Sequence, residues 1–71
     1  MERWKYWWNA RTEPRDRRDV LLYCDAGAWW LEVRHGGAAG SAYWHEYPHL
    51  DAAMDRVREL MAGTDAWREI R

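Results

Sequence analysis

Val20-Leu21-Leu22-Tyr23-Cys24-Asp25-Ala26-Gly27-Ala28-Trp29-Trp30-Leu31-Glu32-Val33-Arg34-His35 is the stretch on which the fold turns. A strand-sized apolar run, Val20 to Cys24, meets the turn signal Asp25-Ala26-Gly27, and a run rich in aromatic and branched residues follows it. Two antiparallel strands joined by a hairpin are expected. Side chains alternate along a strand, so Trp29, Leu31 and Val33 point one way while Trp30, Glu32 and Arg34 point the other. The first set predicts a core-facing side and the second an outer side.

Downstream, Gly36-Gly37-Ala38-Ala39-Gly40 reads as a connection able to take positive φ, and Ser41 to Tyr47 as a further strand ended by Pro48. From His49 to Ala62 the residues Leu50, Ala53, Met54, Val57, Leu60 and Met61 recur at helical spacing. Asp51 sits in the first turn, where the helix dipole favours an acid, and Gly63 is placed to end the helix. Thr64-Asp65 predicts a last turn that returns Trp67 and Ile70 to the core. Upstream, Arg3 to Asn9 alternates, with Trp4, Tyr6 and Trp8 on one side and Arg3, Lys5, Trp7 and Asn9 on the other. Between it and the hairpin, residues 11–19 form a charged loop carrying Arg11, Arg15, Arg17 and Arg18.

The predicted fold is therefore α+β, a single domain over residues 1–71: a three- or four-stranded antiparallel β-meander packed against one C-terminal amphipathic helix. Strands are expected near 3–9, 20–24, 29–35 and 41–47, and the helix near 49–62. The expected core is Trp29, Leu31, Val33, Leu50, Met54, Val57, Leu60 and Trp67.

With 71 residues the chain is too short for a multidomain enzyme, and no apolar run approaches a membrane span. The charged, aromatic start does not read as a secretory signal, and the lone Cys24 has no intrachain disulfide partner, which predicts a reducing, cytoplasmic setting with Cys24 buried. A net charge of −1 argues against bulk attraction to nucleic acid or anionic lipid, although residues 1–19 carry +2 and the remainder −3. Arg outnumbers Lys ten to one, and Phe, Ile, Asn and Lys together occur three times, a bias that points to a GC-rich genome such as that of a bacterium or phage.

Seven Trp and four Tyr are more rings than one helix and a small sheet readily enclose, for a chain this size buries only about 60% of its unfolded surface. One helix covers one sheet face. The other predicts a partner-binding surface of Lys5, Trp7, Trp30, Glu32 and Arg34, used for homodimerisation or for a protein partner, with Glu32 set against Arg34 of a second copy. The alternative is single-stranded nucleic acid, with Arg11, Arg15, Arg17 and Arg18 on phosphates and Trp7 and Trp30 stacking on bases.

Catalytic motifs find little support, and neither a cofactor nor a metal is predicted. His45-Glu46-Tyr47-Pro48-His49 matches the letters of H-E-x-x-H, but that zinc motif needs both histidines one turn apart on a helix, and Pro48 forbids a helix there. His35, His45, His49 and Cys24 make no further ligand set by spacing, and Asp51 and Asp55 lie on the exposed side of the helix.

The order of features also resembles the WGR domain, a module of strands followed by a helix found in poly(ADP-ribose) polymerases and in short bacterial proteins. The likeness spans about residues 20–70: a strand ending Val33-Arg34-His35-Gly36-Gly37, Gly40 before the next strand, the Tyr47 to Ala53 junction into a helix, and Trp67 after it. The resemblance implies a nucleic-acid-binding role. His35 and Gly37 stand where the family's signature has tryptophan and arginine, and only Gly36 is retained.

Overall fold

Residues 1–71 are all described by the computed structural model. Five strands and a helix follow in order: β1 (Glu2–Trp8), β2 (Arg18–Asp25), β3 (Ala28–His35), β4 (Ser41–Tyr47), α1 (Leu50–Leu60) and β5 (Arg68–Glu69). The strands form one antiparallel sheet in the order β4-β3-β2-β1-β5, so the fold is α+β as expected, with one strand more than the meander read from the sequence.

The hairpin between β2 and β3 closes on Asp25 opposite Ala28, with both turn residues in the left-handed region, Ala26 at φ 51° and Gly27 at φ 83°. That backbone matches the twist of the flanking strands and sets their register. Between β3 and β4 lies a short 3-10 turn, Gly37–Ala39, and the chain folds back so tightly that a Cβ on Gly40 would overlap the His35 carbonyl oxygen.

One face of the sheet is covered. Trp7, Val20, Leu22 and Leu31 meet Ala53 and Val57 of α1 in a continuous cluster, ringed by Trp29, Tyr47, Leu50, Met54, Leu60, Met61 and Trp67. Full burial of a Val or Leu side chain contributes about 1.5–3 kcal/mol, so these contacts dominate the stability of so small a domain. The helix ends where the apolar spacing does: the Met61 N–H donates to the Val57 carbonyl, and Gly63, at φ 115°, turns the chain away. No helix is long and apolar enough to cross a membrane.

The first strand departs from its expected facing. A bulge between Arg3 and Lys5 makes Trp4 an extra residue in the ladder, and Trp4 lies edge-on to Trp29 on the helix side, their centroids 4.9 Å apart. Beyond the bulge, Lys5 is opposite Leu22 and Trp7 opposite Val20, both core-side positions. Tyr6 and Trp8 consequently face outward. Uniform alternation over residues 3–9 is broken by this irregularity, which exists only in the pairing with β2.

The C-terminal return is fixed by β5, which pairs with Trp7 and Trp8, and by the Ile70 N–H on the Tyr6 carbonyl at 2.7 Å. Asn9 is buried and anchors the segment after β1: its amide donates to the Asp16 carbonyl and to Asp65, and its oxygen accepts from the Arg18 N–H. The charged segment accordingly ends earlier than its composition implies, since Arg18 and Asp19 belong to β2.

Candidate interaction face

α1, the one α-helix, packs on a single side of the sheet, and the opposite side is bordered only by the Gly37–Ala39 turn and the side chain of Arg17. Cross-strand register arranges it in three rows: Trp8, Asp19, Arg34 and Ala42; Tyr6, Leu21, Glu32 and Trp44; Arg3, Tyr23, Trp30 and Glu46. Leu21, in the middle row, is only 1% exposed, so the face has a small apolar centre of its own.

Two carboxylates are sunk into this surface, Asp19 at 2% and Glu32 at 6% exposure. A buried carboxylate is costly unless paired and hydrogen-bonded. Each is met in the same way, by an arginine two positions along its own chain segment and by a tyrosine from the preceding strand. Arg17 donates from Nε to Asp19 Oδ1 at 2.9 Å and from Nη2 to Oδ2 at 3.0 Å, while the Tyr6 hydroxyl donates to Oδ2 at 2.5 Å. Arg34 donates from Nε to Glu32 Oε2 at 2.7 Å and from Nη2 to Oε1 at 3.1 Å, while the Tyr23 hydroxyl donates to Oε1 at 2.9 Å. Such two-pronged arginine contacts fix geometry as well as charge.

Titration follows from this geometry. Burial pushes the Asp19 carboxyl up, yet the hydrogen bonds from Arg17 and Tyr6 outweigh it and hold the group below its ordinary value. Tyr6 is pushed up by burial and then by its bond to Asp19, and Tyr23 by burial and then by Glu32. Arg17 and Arg34 are both raised by the carboxylates they hold. At neutral pH these groups are committed to one another, and what they offer outward is a rigid, patterned surface.

Aromatic rings rise from that framework. Trp44 is 44% exposed and lies against Tyr23 with centroids 5.0 Å apart, one row from half-buried Trp30. The Arg17 guanidinium covers Trp8 at 4.6 Å and Arg3 lies over Tyr6 at 5.4 Å. A depression of about 240 Å³ opens between Tyr6, Arg17, Asp19, Arg34 and the Gly37-Ala38 turn.

The residues singled out from the sequence divide. Trp30, Glu32 and Arg34 share this face. Trp7 and Lys5 do not: Trp7 is buried in the core under α1, and Lys5 pairs with Glu69 at 3.2 Å, both displaced by the bulge. The expected pairing of Glu32 with Arg34 of another copy is also superseded, because the bond is made within the chain. The four loop arginines separate as well. Arg17 turns onto Asp19, whereas Arg11, Arg15 and Arg18 line a different polar cleft with Asp16 and Asp65, where Arg11 is paired with Asp65 at 3.0 Å. Stacking on Trp7 is not open to a nucleic acid, for that ring is enclosed.

Tyr6, Asp19, Tyr23 and Trp44 were not anticipated at this surface. For Tyr23 and Trp44 the signal existed: once Trp30 and Glu32 face outward, an antiparallel neighbour of either must do the same. The H-E-x-x-H letters fall across a strand end and a helix cap, with His45 in β4 and His49 preceding α1, and Cys24 is a free, partly buried thiol near the end of β2.

No protein-family model matches the chain, and no curated protein or solved structure matches it either. The functional reading rests on the geometry alone.

Proposed function

We propose that this protein is a non-catalytic interaction module that presents its uncovered sheet face to a protein partner. The observation that carries the reading is the half-exposed Trp44, seated on Tyr23 beside Trp30, on a face whose two buried carboxylates are already held by Arg17 and Arg34. Trp, Tyr and Arg are the residues that dominate binding energy at protein interfaces, and rings held in place lose little entropy on binding. Arg3, exposed and in no ion pair of the chain, stands across from Tyr23 at the edge of the aromatic group, which favours a partner segment carrying an apolar side chain next to a carboxylate. The free thiol of Cys24 fits action in a reducing, cytoplasmic setting.

The test is a photo-activatable cross-linker placed in cells at Trp44 and, separately, at Arg58 on the exposed back of α1. A discrete adduct from position 44 alone, diminished by Trp30→Ala, is the expected result. Identical patterns from both positions, or none, overturn the proposal. Oligonucleotide binding that weakens steeply with salt would replace it by the nucleic-acid reading, because released counterions make phosphate contacts salt-sensitive.

A further inference from the structure

The sheet has two edges, and they are built differently. Along the outer side of β1, β5 and the Ile70 N–H cover Tyr6 to Trp8, and the uncovered part carries a bulge together with Glu2, Arg3 and Lys5. Bulges and charged side chains are the devices by which edge strands avoid accepting another strand. β4 has no such protection. It pairs with β3 without a register shift from Ser41 to Tyr47, it contains no proline, lysine or arginine, and Glu46 is its one formal charge.

Its outward backbone groups follow from the hairpin. In a two-residue turn the closing pair, here Asp25 and Ala28, exchanges both hydrogen bonds, so the backbones of Trp30, Glu32 and Arg34 address β2. The bonds at the start of β2 obey the same alternation: the Arg18 carbonyl accepts from Asn9 of the first segment, and the Arg17 carbonyl accepts from Gly36 on the opposite side. Trp29, Leu31, Val33 and His35 therefore bond to Tyr47, His45, Tyr43 and Ser41. The N–H and C=O groups of Ala42, Trp44 and Glu46 are left pointing out of the sheet.

We infer that β4 pairs with β4 of a second copy of this chain, antiparallel about a two-fold axis at Trp44, so that two sheets join edge to edge. Faces are preserved only in registers where even-numbered residues oppose even-numbered ones. Centring on Trp44 sets Trp44 against Trp44 and Ala42 against Glu46, which engages all three outward residues in roughly six backbone bonds. Centring on His45 would set Ala42 against Pro48, which has no N–H to give, and centring on Tyr43 would set Glu46 against Gly40, outside the strand.

Charge selects the same register. Glu46 makes no ion pair within its own chain, and in the Trp44-centred arrangement its carboxylate arrives beside Ala42, whose small side chain leaves open the way to the Arg34 guanidinium, which holds Glu32 through Nε and Nη2 and keeps Nη1 free. No like charges stand opposite one another. On the helix side Tyr43 meets His45 of the other copy, repeating the edge contact these rings make within one chain at 5.4 Å. The pairing does not depend on the face binding a partner, but it would merge two such faces into one aromatic surface.

Sedimentation equilibrium of the full chain, with cysteine cross-linking in a Cys24→Ala background, tests the inference. The wild-type chain is expected to form a dimer at micromolar concentration. Trp44→Cys should oxidise to a disulfide-linked dimer at least about tenfold faster than Ala42→Cys, because paired residues at the axis lie about 5.5 Å apart between Cα atoms, within disulfide reach. Glu46→Lys should weaken the dimer about tenfold by facing Arg34 with a like charge. A chain that stays monomeric to about 100 μM overturns the proposal, as do equal oxidation rates at positions 42 and 44. A dimer abolished by Trp30→Ala but unaffected by Glu46→Lys would place the contact on the face and overturn the edge pairing while leaving the face reading intact.

Discussion

The two faces of this sheet are held by different physics. On the side of α1, Trp7, Val20, Leu22 and Leu31 are closed by Ala53 and Val57, and the gain comes from apolar area withdrawn from water. On the opposite side burial is reached with carboxylates, arginines and tyrosine hydroxyls, each bound to the next, around a single enclosed leucine. Every buried side-chain nitrogen and oxygen has a hydrogen-bond partner. Such a network orders side chains well but returns little net stability, because the desolvation of the charges offsets most of the attraction. The covered face therefore sustains the fold, and the open one adds order more than stability.

Neighbouring tryptophans on β1 give the largest test of this division. Trp7→Ala should cost about 3–5 kcal/mol in urea unfolding, whereas Trp8→Ala, which loses a ring shielded mainly by Arg17, should cost about 1 kcal/mol. Equal losses would break the comparison.

Next in size is Asp19→Ala, expected to cost about 2–3 kcal/mol by stranding Arg17 and the Tyr6 hydroxyl. The carboxyl also leaves a signature in pH. Its folded value lies below the unfolded one, so its contribution is complete above about pH 4 and is lost as pH falls through the folded value. Asp19→Asn should flatten the acid limb of the stability curve. Tyr6 and Tyr23 act on the alkaline side: raised phenols lend stability that is complete below about pH 10 and is lost as pH climbs further, so Tyr6→Phe should cost about 1 kcal/mol and soften that limb. An unchanged pH profile in both variants would mean the network is not maintained in solution.

The smallest effect is a gain. Ala26 holds a left-handed conformation that asparagine tolerates better, and Ala26→Asn should stabilise the hairpin by about 0.5–1 kcal/mol without touching either face. A loss would mean that the turn is not of the type its dihedrals describe.

What could be read from the sequence followed from periodicity. Val20 to Cys24 is a strand-sized apolar run, Asp25-Ala26-Gly27 signals a turn, Trp29 to Arg34 alternates, and Leu50 to Met61 keeps one apolar stripe, so the hairpin, the helix and the outward facing of Trp30, Glu32 and Arg34 are legible. β1 is not, because rings stand on both sides of Trp4-Lys5-Tyr6-Trp7-Trp8 and the bulge that decides between them exists only in the pairing with β2. The two residues of β5 are too few to show a period. Asp19 lies in a run of charges, and nothing local separates it from Asp16; only the strand register that brings Tyr6 over it makes it a buried group.

The central claim is that Trp44 is displayed by the fold and not required by it, and the unfolding free energy of Trp44→Ala tests this most directly. It should be measured in urea at a concentration too low for chains to associate. A loss of no more than about 1 kcal/mol is predicted, the worth of the exposed ring pair with Tyr23. A loss approaching that of Trp7→Ala would contradict the account, for it would make Trp44 part of the structure's own support.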